Sequence, residues 1–428
     1  MSTKSTSDQF GKNRVQSLKV RSIILFSNFF LIILAYYQVK SASRSLLIEY
    51  WGADNFPWVW ISSALVLGSF IGLYHRLVER YRRLAVVLGS CLMFIVLLIG
   101  FRLALDWQGM EASISYAFYI FVDIFSVILV EQFWSLADSV SEADAGRKSF
   151  WFIGSGGLLG GVIGGVTATA MLEFTPMRTP DLLLSCAAIL IVTFVLNLAM
   201  GRMGLYREVP SEGPPVVAAG GWRALIKSRY LILIACALLC SQLAQPVVEF
   251  QFIKAVEASY TALDARTQYL SSFFSVLGLV SIAINLMVTP FLHRYLGVMW
   301  GMMTQPVVLA LSSLAFMAQP TLMIASVMKI ADRGLSYSIN RASKEQLYIP
   351  VDPVRTYQAK AWIDMLGYRL FKVIGSAMIL VLARWLPLGE NAVQLGWLTL
   401  LICGVWILVL GLLAREYHAF VNQAPAPA

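Results

Sequence analysis

The chain has 428 residues, 58% of them hydrophobic and only 13% charged, with a mean hydropathy of +0.71 and a formal net charge of +9. A soluble domain carries about a quarter charged residues because its surface must be wetted, so this composition excludes an ordinary soluble globule. The basic excess sits in short clusters between apolar runs, the pattern that encodes orientation in a membrane, and it points away from nucleic acid.

A helix needs about 20 mostly apolar residues to cross hydrocarbon. After a polar, basic cytoplasmic tail at 1–21, with no small-residue cleavage site following the first apolar run, such runs are predicted at 22–40, 56–75, 84–105, 114–138, 149–172 and 182–204. A cytoplasmic linker at 205–228, containing Glu208-Val209-Pro210-Ser211-Glu212-Gly213-Pro214-Pro215, separates them from the rest. Six further runs follow at 230–254, 268–291, 296–318, 320–338, 358–383 and 391–414, and a cytoplasmic tail closes the chain at 415–428. The fold class expected is therefore an all-α polytopic membrane protein of twelve transmembrane helices. It divides into an N-terminal six-helix bundle at 22–204 and a C-terminal one at 229–414.

Basic residues fall mainly on one side of this arrangement, from Lys12, Arg14, Lys19 and Arg21 through Arg147-Lys148 and Arg223, Lys227 and Arg229 to Arg341, Lys344 and Arg355. With both termini inside, the count agrees with the positive-inside rule. Leu73-Tyr74-His75-Arg76 ends the second run, and Phe291-Leu292-His293-Arg294 ends the eighth, 218 positions later. Parallel repeats of this kind are the plan of major facilitator-type carriers, a 6+6 pseudo-symmetric bundle with substrate bound midway.

Ionisable residues inside such runs are costly and face a cavity or one another. The first run carries Tyr36, Lys40 and Arg44 at spacing four, a stripe toward its outer end that a snorkelling helix terminus would also produce. In the fourth, Asp123 and Glu131 lie about 80° apart on the helical wheel. The seventh has Gln242, Gln245 and Glu249 on one face, followed by Lys254. Lys329 and Arg333 flank Asp332 in the tenth, and Lys360, Asp364, Tyr368 and Lys372 form a stripe in the eleventh. Lys360 with Asp364 has the spacing of a simple intrahelical pair. Several cations around one cavity suit an anionic substrate, since each offsets the desolvation of an oxyanion; the acids then balance those cations or carry a coupling proton.

The fifth run holds two glycine stripes at spacing four, Gly156, Gly160, Gly164 and Gly157, Gly161, Gly165, which predict very close helix approach. The five cysteines all lie in apolar runs without metal-ligand companions. Neither a phosphate-binding motif, a zinc signature nor a nucleophile elbow is present, and no histidine has a catalytic neighbour. An enzyme, a cofactor and a metal are not expected.

Lys344-Glu345-Gln346-Leu347-Tyr348-Ile349-Pro350-Val351 is similar to the Lys-Glu-x-x-Tyr-Ile-Pro-Leu of the bacterial and plastid nucleotide-transporter (ATP/ADP translocase-like) family. Ala359-Lys360-Ala361-Trp362-Ile363-Asp364 resembles its Gly/Ala-Lys-Ala-x-Val/Ile-Asp, and Phe133-Trp134-Ser135-Leu136-Ala137-Asp138 its Phe-Trp-x-x-Ala-Asn. After the first run the family's Arg-x-x-Lys-Asp-x-Leu is replaced by Ser41-Ala42-Ser43-Arg44-Ser45-Leu46, so an arginine stands where the family has its lysine. The resemblance adds Glu345 to the candidate substrate-binding set of Tyr36, Lys40, Arg44, Asp123, Glu131, Gln245, Glu249, Lys329, Arg333, Lys360, Asp364 and Lys372.

What it implies is a secondary transporter, antiporter or symporter, moving a phosphate-bearing, nucleotide-like anion across the cell inner membrane by alternating access, as a monomer among membrane lipids. Two alternatives stand beside it: an exporter or flippase for lipid or another amphiphile with the same fold, and a non-transporting membrane subunit that docks a partner protein.

Overall fold

The computed structural model describes residues 3–140, 143–205, 228–352, 359–360, 362–363, 367–385 and 392–423. Those residues form helices and no strand. In chain order they are α1 (Thr3–Trp51), α2 (Phe56–Arg80), α3 (Arg83–Ala104), α4 (Glu111–Val140), α5 (Ala143–Phe174), α6 (Leu182–Arg202) and α7 (Arg229–Ser259). Next come α8 (Leu263–Ala283), α9 (Thr289–Tyr295), α10 (Val298–Ala318), α11 (Leu322–Leu335), α12 (Arg341–Leu347), α13 (Tyr368–Trp385) and α14 (Leu395–Gln423).

Nine stretches among the described residues are long and apolar enough to cross a membrane. They match nine of the twelve runs. The runs beginning at 56, 320 and 358 are not among the nine. In the tenth, Lys329, Asp332 and Arg333 lie within a helix of only 14 residues, so charge and interruption dilute the signal. The eleventh falls partly outside the described residues, as do Asp364 and most of the linker at 205–228.

Helix ends follow local chemistry. The Ser228 hydroxyl accepts from the Leu231 N–H at the start of α7, and the Thr321 hydroxyl from that of Ile324 at the start of α11. Gly297 ends α9 at φ +84°, and its N–H donates to the Leu292 carbonyl, a conformation that only glycine adopts without strain. Between α8 and α9 a π turn at Ile284–Val288 precedes Pro290, whose ring nitrogen has no proton to donate; both the N–H and the hydroxyl of Thr289 donate to the Ile284 carbonyl.

The first apolar span is longer than its sequence run. It extends over Val20–Trp51, because Leu46, Leu47 and Ile48 are buried beyond Arg44. Lys40 and Arg44 therefore lie within the span instead of marking its end, and the helix continues back to Thr3 through the predicted tail.

The chain divides into two compact units. One contains Met1–Trp51, Leu65–Glu212 and Ala262–Val276, and the other Gly52–Ala64, Gly213–Thr261 and Leu277–Ala428. The division differs from a simple cut at the linker: the first turns of α2 fold with the second unit, and most of α8 folds with the first. In the first unit, α8 is fixed by Arg266 Nη1, 3.0 Å from Glu49 Oε2, and by the Asp264 carboxylate, which accepts from both the N–H and the hydroxyl of Thr179 at 2.7 Å. In the second, Lys254 bridges Asp54 at 3.1 Å and Glu257 at 3.4 Å, while Glu257 also accepts from the Ala53 N–H.

Within the first unit, α5 lies along α1 through its glycines. A Cβ at Gly156 would sit 2.6 Å from the Phe26 carbonyl oxygen, and one at Gly164 2.7 Å from that of Leu34. Gly160 abuts the Phe30 carbonyl, and Gly157 and Gly161 receive the rings of Phe29 and Tyr37. Gly165 instead meets Ser271 and Ser275 of α8. Gly160→Ala should destabilise the protein by about 1–3 kcal/mol, since backbone cannot yield as a side chain does. Gly100→Ala on α3, where a Cβ meets open space, should leave the midpoint of thermal unfolding in detergent unchanged.

Candidate functional site

Charged side chains gather in three clusters, one in the first unit and two in the second. In the first unit, α1 presents Lys40 and Arg44 one turn apart to a group of aromatic rings. The Lys40 ammonium lies 4.0 Å from the ring centre of Phe274, 4.5 Å from Tyr37 and 5.6 Å from Tyr36. The Arg44 guanidinium lies 5.4 Å from Phe274 and 5.6 Å from Tyr119, and it donates to the Lys40 carbonyl. A cation over a ring face is stabilised by the ring quadrupole even where water is scarce. Phe274 comes from α8, so this cage exists only because that helix folds with the first unit.

Asp123 is half-buried and Glu131 exposed on α4. Near the end of α4, Phe133 stacks on Phe29 of α1 at 4.5 Å, and Trp134 meets the same ring edge-on at 5.4 Å. The Phe-Trp pair of the family motif thus anchors α4 against α1.

In the second unit, α7 and α11 exchange charges. Lys329 Nζ is 2.5 Å from Glu249 Oε2 and 3.2 Å from Asp332 Oδ2, and Arg333 Nε is 3.6 Å from the same Asp332 oxygen. Lys329 is 1% exposed, and Gln245 is buried one turn before Glu249. Around them, Gln305 of α10 donates to the Asp332 carbonyl and accepts from Asn340.

The third cluster joins the two motif segments of the family resemblance. Lys360 Nζ is 2.6 Å from Glu345 Oε2 and lies 4.7 Å from the Tyr348 ring centre, while Lys344 donates to the Tyr368 hydroxyl at 3.2 Å. Lys360 is paired with Glu345 across a long separation, which its spacing to Asp364 did not suggest. Lys372 is half-buried on α13. The Lys360–Glu345 pair is substantially exposed, its side chains 29% and 59% accessible, so Glu345→Gln should change stability by no more than about 0–1 kcal/mol. Thermal unfolding checks this directly.

Sequence reasoning named His293 only as part of the repeat; its ring is held between the Ser343 hydroxyl at 2.8 Å and the Gln346 amide at 3.0 Å of α12. It overlooked Arg266, a buried cation just outside the run predicted at 268–291. A signal for Arg266 existed only in its neighbourhood, since Asp264 and Arg266 lie at the start of a long apolar helix.

A family model, the TLC ATP/ADP transporter, matches residues 214–323 and 318–417. The ADP,ATP carrier protein 1 of Rickettsia bellii (strain RML369-C) is 21% identical over 351 residues, covering 72% of this chain and 70% of the relative. ADP,ATP carrier protein 2 of Chlamydia pneumoniae is 23% identical over 363 residues, with 72% and 67% covered. Among solved structures, the nucleoside transporter NupG superposes with a TM-score of 0.64 at 14% identity, over 94% of this chain and all 100% of that one. A bacterial homologue of the iron transporter ferroportin superposes at 0.62 and 14% identity, over 91% and 98%. The fold is thus of the major facilitator type, the chain is a multi-pass membrane protein, and the sequence relatives are carriers, not enzymes.

Proposed function

We propose that this relative of the TLC ATP/ADP transporters is a secondary carrier for a phosphate-bearing, nucleotide-like anion. It works by alternating access in the cell inner membrane, with both termini in the cytoplasm. The observation that carries the reading is the cage of Lys40 and Arg44 over Tyr36, Tyr37, Tyr119 and Phe274. Cations beside ring faces match the two parts of a nucleotide: phosphate oxygens take charge-assisted N–H bonds, and a base stacks on aromatic rings. Arg44, in place of the family's lysine, offers a planar fork that grips two phosphate oxygens at once. The carriers of Rickettsia bellii and Chlamydia pneumoniae, named for ADP and ATP, support the substrate class.

Purified protein in liposomes tests it. Labelled nucleotides should accumulate or exchange, and unlabelled nucleotide should compete. If nucleotides and other phosphorylated anions neither bind nor move, while labelled lipid is flipped, the carrier is one for amphiphiles and this assignment is wrong.

A further inference from the structure

We infer that α9, the first two turns of α10 and α12 form one hinged body within the second unit, which turns about Ile284–Val288, Pro306 and Ser336–Asn340 and is docked against Tyr230. The hinge does not depend on the carrier reading above; its part in transport does.

Three helices are interrupted at one level. α8 passes into α9 through the π turn at Ile284–Val288, and α11 into α12 through a second π turn at Ser336–Asn340. The two π turns pack on each other. A Cβ at Gly334, just before the second turn, would lie 3.7 Å from the Ser281 hydroxyl oxygen and 3.9 Å from Ile284 Cδ1, so the two chains touch there. α10 carries Pro306 in its interior. Its neighbour Gln305 accepts from Asn340 of the second π turn at 2.6 Å and donates to the Asp332 carbonyl at 3.0 Å.

Each interruption loosens the backbone ladder for its own reason. A π turn gives up the regular helical hydrogen bonds for a wider ring. At the first one, the Ile284 carbonyl takes the N–H of Thr289, five residues on. At the second, the Arg341 N–H donates to the Ser338 carbonyl, three residues back, and the Ser338 hydroxyl donates to the Gly334 carbonyl at 2.6 Å, a bond that bends helices. Pro306 has no N–H, so the Met302 carbonyl loses its helical donor. Helices kink at such places.

Beyond the hinge the pieces are short and clipped together. α9 and α12 have 7 residues each, too few to hold as isolated helices. One imidazole joins them, since His293 meets the Ser343 hydroxyl at 2.8 Å and the Gln346 amide at 3.0 Å. The same two side chains occupy the place of a side chain at Gly301 of α10, where a Cβ would overlap the Ser343 hydroxyl and lie 3.0 Å from His293 Nε2. The Gly297 N–H, bonded to the Leu292 carbonyl at 3.2 Å, ties the start of α10 to α9. Three pieces that share contacts and a hinge level move together.

Polar contacts dock the body. The Tyr230 hydroxyl of α7 donates to the Leu347 carbonyl at 2.7 Å, and both residues are buried. Glu345 pairs with Lys360 at 2.6 Å, and Lys344 donates to the Tyr368 hydroxyl of α13 at 3.2 Å. Turning the body breaks these contacts, so the structure holds its docked position.

Hydrogen exchange of the full-length protein in detergent, read by mass spectrometry, tests the body. Protection factors in α9, residues 298–305 and α12 should agree within about threefold, as expected of one cooperative unit, and fall below that of α7. Tyr230→Phe removes the hydroxyl that bonds α12, yet it should speed exchange in all three pieces about 2- to 10-fold, the worth of one hydrogen bond. Exchange in residues 263–283 of α8 should not change. Glu345→Gln, at the same docking face, serves if Tyr230→Phe does not fold. When His293→Ala is added, α9 should no longer follow α12. If the docking variant speeds α12 alone, or if the three pieces are as protected as α7, the hinged body is refuted.

Nucleotide uptake into liposomes tests its part in transport. Pro306→Ala restores the ladder of α10 and should lower the maximal rate about threefold or more with little change in the half-saturating concentration, since opening steps set turnover and not affinity. An unchanged maximal rate would remove the body from the transport cycle while the exchange result stands. If wild-type protein moves no nucleotide, the carrier reading falls, and exchange alone decides whether the body is hinged.

Discussion

Replacing Lys329 with methionine should cost about 3–5 kcal/mol of folded-state stability, because it removes the ammonium that two buried carboxylates share. Two carboxylates would be affected, since Lys329 is 2.5 Å from Glu249 and 3.2 Å from Asp332. Arg333 remains near Asp332 at 3.6 Å and offsets part of the loss there. The Lys329→Met, Glu249→Gln double variant should consequently recover a large share of the stability lost by the single one. Thermal unfolding in detergent, run as a double-mutant cycle, measures the coupling. Independent, additive effects of the two substitutions would show that the ion pair does not hold α7 to α11.

Removing the cations of the aromatic cage should act on transport more than on stability. Lys40→Gln and Arg44→Gln are each expected to raise the half-saturating nucleotide concentration about 10- to 100-fold, the range that charge-assisted hydrogen bonds to a phosphate are worth. Phe274→Leu, which keeps both cations and removes the ring face 4.0 Å from Lys40, should have a smaller effect, about 2- to 30-fold by the usual strength of a cation–π contact. Concentration-dependent uptake into liposomes separates these outcomes. Equal affinity in all three variants would move the substrate site away from α1 and leave the cage as packing.

The sensitivity of Gly160 and the expected tolerance at Glu345 bracket these two results. Gly160 abuts the carbonyl of Phe30, so any added atom forces two helix backbones apart. Glu345 lies 59% accessible at the end of its pair with Lys360, where water screens most of the interaction. Sensitivity to single substitutions is therefore expected where backbones meet closely and where charge is buried.

The helices and the apolar spans were legible in the sequence because a spanning helix satisfies its backbone hydrogen bonds within its own segment. Run length therefore carries the information locally, and nine runs return as spans. The glycine stripes of α5 were legible for a related reason: only a small side chain permits the contact that Gly156, Gly160 and Gly164 make with α1. The major facilitator plan read from two sets of apolar runs returns in the likeness to solved carriers, while the tenth run, predicted at 320–338, is a charged helix of 14 residues that is not among the nine spans.

Partnerships were not legible, because side chains meet across chain distances that no local pattern encodes. Arg266 finds Glu49 across 217 positions, and Lys360 pairs with Glu345, 15 positions before it. Phe274 joins Lys40 only because the first part of α8 folds with the first unit. The sequence by itself determined which residues must be buried and that several carry charge. Tertiary structure alone decided which charge neutralises which, since that depends on distances of a few ångströms set by packing.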